Sequence, residues 1–238
     1  AFYCCTGLTS IEIPNSVTQI GKYAFAHCDG LTSVKIPNNV SQIGDSAFSG
    51  CNGLTSIKIS DNVTQIGEYA FAGCSELTSV IISSDNKFFK FEGNCIISKD
   101  GKTLLFGTQT PIIPDSVTKI CNGAFNDSVL TSIKIPNSVI QIEYSAFSGC
   151  NGLTSIEIPN SVVQIGMKAF SNCSRLTSIK VSSGNEFFKS EGNCILSKDG
   201  KTLWFGIQTS IIPNSVTQIE CDAFIGCSGL ASIEIPDS

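Results

Sequence analysis

Residues that carry chemistry are scarce in this chain. It holds one His, one Met and one Trp, too little imidazole for a Ser/His/Asp relay or a His-built metal centre. Charged residues make up 15% of the 238, well below the roughly 25% usual in soluble domains. Acidic residues outnumber basic ones, 20 to 15, for a net charge of −5. The chain therefore lacks the positive field with which proteins hold nucleic acid. No apolar run approaches the roughly 20 residues of a membrane span, and no charged-then-apolar leader opens the sequence. These absences argue against an enzyme, a nucleic-acid binder and membrane insertion by this segment, and no cofactor or metal is expected. What is present is 42% hydrophobic residues and a strong internal periodicity.

Leu8, Leu31, Leu54 and Leu77 each open a segment L-T-S-[IV] at one constant interval, and Leu130, Leu153 and Leu176 do the same. Ile113-Pro114 and Ile212-Pro213 align with Ile13-Pro14 and expose two further starts at Thr108 and Ile207. Ten starts result, at 8, 31, 54, 77, 108, 130, 153, 176, 207 and 230. The two units that open at Leu77 and Leu176 are longer than the rest. They share S-K-D-G-K-T-L at 98–104 and 197–203, an offset of 99 that marks a duplicated block of four coils. Self-similarity at such a period is the signature of a solenoid, in which no unit buries its apolar face alone.

The unit reads L-T-S-I-x-I-P-N-S-V-T-Q-I-G-x-x-A-F-x-x-C-x-x. L-x-x-I-x-I before Pro suits a short strand closed by a turn. V-T-Q-I alternates with period 2, as a second strand does. G-x-x-A-F-x-x-C predicts a turn or two of helix, too short to stand without packing. Stacked coils place Phe2, Phe25, Phe48, Phe71, Phe125, Phe147, Phe170 and Phe224 in one aromatic spine. Seven of the 12 cysteines, Cys5, Cys28, Cys51, Cys74, Cys150, Cys173 and Cys227, share one column and are expected to be buried free thiols, because free Cys behaves as a small hydrophobe. Cys4 stacks over His27 and Cys5 over Cys28, but this set departs from zinc spacings. G-K-T at 101–103 and 200–202 lacks the glycine that a phosphate loop requires before it with four residues intervening, at 96 and 195, where Ile stands, and Asp100-Gly101 between apolar residues reads as a hairpin turn.

The recurring [LI]-P-[ND]-[SN]-V-x-x-I-[GE]-x-x-A-F-x-x-C-x-x-L-T-S-I-x-I-P resembles the BspA-like leucine-rich repeats, and S-S-x-N-x-F-F-K-x-E-G-N-C-I-[IL]-S-K-D-G-K-T-L resembles the hairpin coil of such arrays. The resemblance covers essentially the whole chain. It implies an α/β solenoid, a right-handed leucine-rich-repeat superhelix of about ten 23-residue strand–turn–strand–short helix coils, two of them lengthened by a β-hairpin. It also implies a surface or secreted protein, often adhesive, without catalytic residues to carry over. Residues 1–238 read as a single solenoid domain whose ends fall inside repeats, so a fragment of a longer array is expected.

Two surfaces are candidates for binding. On the strand face the outward column holds Lys35, Lys58, Lys134, Glu157 and Lys180 beside a column of Thr, and variable charge on a stiff repeat face suits macromolecular recognition. The hairpin coils carry Phe88, Phe187 and Trp204, aromatics of the kind that anchor interfaces. The expected function is a non-catalytic, extracellular or cell-surface binding and adhesion module for a protein or glycoprotein ligand, host extracellular matrix among the candidates. The alternative is a structural spacer or filament-forming repeat that self-associates through uncapped ends.

Overall fold

The computed structural model describes residues 1–236. The L-T-S-I segments form parallel, in-register strands. Ser33–Lys35, Ser56–Ile59 and Ser79–Ile82 make one sheet, and Ser155–Ile158 pairs with Ser178–Val181 in another. A parallel bridge from Ser10 to Ser33 extends the first sheet toward the amino end. Along these strands Val34, Ile57, Ile59, Ile156 and Ile158 are buried while Lys35, Lys58, Glu157 and Lys180 are exposed, the alternation that a sheet with one solvated face requires.

A second layer is built from the Q-I pairs. Gln19–Ile20, Gln42–Ile43 and Gln65–Ile66 form one ladder, and Lys119–Ile120, Gln141–Ile142 and Gln164–Ile165 another. The long units insert hairpins into this layer. Phe89–Glu92, Cys95–Ser98 and Thr103–Gly107 pair antiparallel, and Thr103 and Leu104 then run parallel to Lys119 and Ile120. Phe188–Glu191, Cys194–Ser197 and Thr202–Gly206 repeat the arrangement against Gln218–Ile219. Between the layers lies an apolar core of stacked Leu, Ile, Val, Ala and Phe, divided into two main clusters along the solenoid.

The architecture corrects two expectations. Among the described residues there is no helix, so the molecule is a β-solenoid, not an α/β one. It also counts about seven regular turns rather than ten coils: a Q-I or K-I strand occurs seven times, and the two hairpin units and the last segment do not repeat that turn. The helix fails for a backbone reason. In each regular unit the residue two before Phe and the residue two after it have positive φ: Tyr23 and His27, Ser46 and Gly50, Tyr69 and Gly73, Gly123 and Asp127, Ser145 and Gly149, Lys168 and Asn172, Asp222 and Gly226. A left-handed L-residue costs about 1–2 kcal/mol and cannot lie inside a right-handed helix. Hydrogen bonding then alternates. Ala24, Ala26 and Cys28 donate three residues back within the unit, whereas Tyr23, Phe25 and His27 donate to Asp45, Ala47 and Ser49 of the next coil. The bonds a helix would keep to itself are spent on stacking.

The aromatic spine is also modified. Phe2, Phe25, Phe48 and Phe71 stack nearly parallel at 5.3–5.7 Å, and Phe125, Phe147 and Phe170 at 4.9 and 5.5 Å. Each stack is closed by a tilted ring from a hairpin unit, Phe106 against Phe71 and Phe205 against Phe170. Phe224, expected in the spine, is only partly buried and lies beneath Gly206, while Phe2 is exposed. A Cβ on Gly107 would fall within the ring of Phe125, and one on Gly206 within that of Phe224. Gly107→Ala is therefore expected to destabilise by about 1–3 kcal/mol through overpacking. Gly21→Ala, where a Cβ meets nothing within 4 Å, should stay within about 0.5 kcal/mol. Urea denaturation midpoints of the two variants test the contrast.

Candidate functional site

The strand face separates its charged column into two groups. Lys35 and Lys58 face each other directly across paired strands, with Ile81 next in register. Like charges so placed repel, and exposure to water makes the arrangement tolerable. Glu157 and Lys180 are likewise direct cross-strand partners. Lys134, whose segment is not a strand, joins them on the wall of an open groove of about 560 Å³ with Asn137, Asn160 and Ser178. The groove is held partly by a bond from the Ser182 hydroxyl to Glu157 Oε1 at 3.0 Å. Among the described residues none of Lys35, Lys58, Lys134 and Lys180 forms an ion pair, so their charge is open to a ligand. The neighbouring Thr column is not equally open. Thr55 and Thr177 donate their hydroxyls to the carbonyls of Thr32 and Thr154, one coil back, at 3.0 and 3.3 Å. Those hydroxyls belong to the stacking.

The hairpins are fixed by a residue whose part the repeat pattern alone did not disclose. Asn86 is fully buried; its amide nitrogen donates to the carbonyls of Ser60 and Val63 at 2.9 and 3.0 Å, and its oxygen accepts the backbone N–H groups of Phe88 and Phe89. Asn185 does the same between Pro159, Val162, Phe187 and Phe188. Each Asn thus locks the entry of a hairpin to the preceding coil and aims the exposed Phe88 or Phe187 outward. The signal was the Asn that recurs at one place in both S-S-x-N-x-F-F segments. Phe187 and Trp204 meet on one open groove, with Trp204 edge-on to Phe188 at 6.3 Å; Phe88 belongs to the other hairpin and does not join them.

At the hairpin tips the G-K-T segments form turns. Asp100 Oδ1 accepts from the Ser98 hydroxyl at 2.5 Å and the Lys102 N–H at 2.9 Å, and these bonds, the first chiefly, hold its carboxyl below the usual carboxylate range. Gly101 is left-handed at φ 77°, as the tight turn needs. His27 sets its ring edge-on to Tyr3 at 5.7 Å. Among the described residues no group of three or more His, Cys, Asp or Glu side chains is arranged to hold a metal ion.

All 12 cysteines are free. Cys28, Cys51, Cys74, Cys150 and Cys173 are buried in the expected column, and each donates its thiol at 3.0–3.1 Å to the Phe carbonyl of the preceding regular turn. Cys5 departs from expectation and is exposed, and Cys227 is half-buried.

The profile of the BspA type leucine rich repeat region matches residues 1–99, 107–195 and 204–238, in six copies. The chain belongs to this family. Solved structures of similar form include a leucine-rich repeat protein from Eubacterium ventriosum, 21% identical with a TM-score of 0.67 over 93% of this chain and 65% of that one. A leucine rich cell surface protein from Faecalibacterium prausnitzii is 33% identical, with a TM-score of 0.55 over 91% of this chain and 58% of that one. The pneumococcal vaccine antigen PcpA is 18% identical, with a TM-score of 0.53 over 93% of this chain and 72% of its own. The chain thus spans less than two thirds of the first two relatives. No curated protein matches it.

In this BspA-type repeat the thiol column acts as a packing and hydrogen-bonding element, which sets its reactivity. Burial pushes the thiol of Cys51 in the column, and that of Cys95 in the first hairpin, up to about 12, leaving almost no thiolate at neutral pH on either. Maleimide labelling at pH 7 should modify the exposed Cys4, Cys5 and Cys221 rapidly and the buried column only in denaturant. Asn185→Ala, which strands two carbonyls and two N–H groups, should cost about 3 kcal/mol and open the second hairpin to limited proteolysis. Asn185→Asp should fail comparably, since it removes the donors to Pro159 and Val162.

Proposed function

We propose that this BspA-type array is a non-catalytic binding and adhesion module, displayed on a cell surface or secreted, that recognises a protein or glycoprotein through its strand face. The observation that carries the reading is the groove lined by Lys134, Glu157 and Lys180 on a stiff face, its lysines free of ion pairs among the described residues. Lys35 and Lys58 extend the charged column in the preceding block. Cell-surface placement is supported by the repeat family and by the Faecalibacterium relative, itself described as a cell surface protein. A chain made of stacked columns, with a single His, also favours a scaffold over an enzyme.

Short basic patches on an acidic chain favour an anionic or mixed-charge partner, such as a glycoprotein of the extracellular matrix. Each exposed charge contributes on the order of 1 kcal/mol or less, so affinity is spread over several coils. Reversing Lys35, Lys58, Lys134 and Lys180 to Glu should weaken binding to immobilised matrix glycoproteins by about tenfold or more, mainly through the on-rate, with the melting temperature nearly unchanged. Surface plasmon resonance at two salt concentrations measures this. Binding that survives the reversal but is lost when Phe88, Phe187 and Trp204 are replaced would move the site to the hairpins.

A further inference from the structure

The block duplication supplies an internal control for surface function, because positions offset by 99 occupy equivalent places in the two blocks. At four such places on the flank formed by the Q-I layer, the first block has Asp45, Thr64, Glu68 and Leu105, and the second has Tyr144, Val163, Met167 and Trp204. Phe88 and Phe187 are matched. The second-block residues are not distributed at random. Tyr144, Val163, Met167, Phe187 and Trp204 line one open groove of about 640 Å³, and each is 39–53% exposed. Folding does not need them, since the same backbone tolerates polar residues in the first block. Three surface polar residues have been replaced by apolar ones around a single concavity, which marks an interaction site.

The size and charge of the groove decide what fits it. The five side chains together expose on the order of 400 Å², about half the ~800 Å² per partner that a stable protein interface uses, so a second copy of the chain is not the natural occupant. The volume falls within the ~300–1,000 Å³ range of small-ligand sites. Charge within the groove is already cancelled: its one lining carboxylate, Glu143, is paired with Lys119 at 2.7 Å, and at its edge Lys168 pairs with Asp222. A charged ligand gains nothing there. Hydrogen-bonding capacity remains, however. Gln164 accepts from Gln141 through its oxygen, and Asn122 accepts the Tyr144 N–H through its own, so both amide nitrogens point no bond at protein among the described residues. Aromatic faces with free amide donors and no net charge match a ligand with apolar C–H faces, hydroxyl edges and no charge.

We propose that this groove binds neutral oligosaccharides, stacked on Tyr144, Phe187 and Trp204 and hydrogen-bonded by Gln164 and Asn122. It is separate from the strand face and stands whether or not that face binds a glycoprotein. Trp204 is the only tryptophan of the chain, so its fluorescence reports on the groove alone. The protein is titrated with chitotetraose, cellotetraose, maltotetraose and lacto-N-tetraose. At least one should produce a saturable change in emission and protect Trp204 from acrylamide quenching. Tyr144→Asp and Met167→Glu, which install the first-block residues, should each weaken that binding about tenfold without lowering the melting temperature. Lys134→Glu with Lys180→Glu should leave it unchanged. The proposal is overturned if none of the four sugars moves the emission at about 10 mM, a concentration at which even very weak sites fill. It is equally overturned if binding survives both groove substitutions, or if only an uncharged apolar pentapeptide of Leu, Val and Ala saturates the signal, which would make this a peptide groove.

Discussion

The structure depends on a backbone exchange at the Ala-Phe turn. Two residues in each regular unit adopt left-handed φ, and as a result the N–H groups at and around Phe point along the solenoid axis toward the next coil instead of back into a helix. Strain of about 1–2 kcal/mol per left-handed non-glycine residue is offset by bonds such as Phe48 N–H to the Ala70 carbonyl at 2.8 Å. Once that ladder exists, side chains of neighbouring units must fall in register. The stacked Phe rings, the Cys thiols on Phe carbonyls and the Thr hydroxyls on Thr carbonyls are consequences of one translational repeat.

That same regularity governs where function can be placed. Inward positions are fixed by packing with the coils above and below, so variation is confined to outward ones. The strand face varies in charge, from Lys35 and Lys58 in one block to Lys134, Glu157 and Lys180 in the next. The opposite layer varies in polarity, from Asp45 and Glu68 to Tyr144 and Met167. The hairpins interrupt both sheets, and their buried Asn86 and Asn185 join them rigidly to the preceding coil, so Phe88 and Phe187 are presented by a fixed element rather than a loose loop.

Much of this was legible in the sequence. The even spacing of Leu8, Leu31, Leu54 and Leu77 gave the coils, the L-x-x-I-x-I alternation gave the exposed Lys column, and the shared column of cysteines gave buried thiols where coils lie on both sides. The turn was not legible, because Tyr23, Ser46, Tyr69 and Lys168 carry no mark of left-handed backbone; Gly50, Gly73, Gly123, Gly149, Gly226 and Asn172 hinted at it in some units without recurring at one position throughout. A-F-x-x-C has helical spacing, and inter-coil bonding overrode it. The Thr column looked like ligand surface because a hydroxyl's partner in the next coil cannot be read from one unit. The apolar groove was hidden for a similar reason: Tyr144, Val163, Met167 and Trp204 belong to separate units of the sequence and converge only when the coils stack.

The most direct test of the account is to observe the inter-coil bonds themselves. Through-hydrogen-bond scalar couplings in a deuterated sample identify which carbonyl each amide engages. The Phe25, Phe48 and Phe147 amides should couple to the carbonyl carbons of Ala47, Ala70 and Ala169 in the adjoining coils. Couplings from those amides to the carbonyls four residues earlier, as in a helix, would contradict the solenoid described.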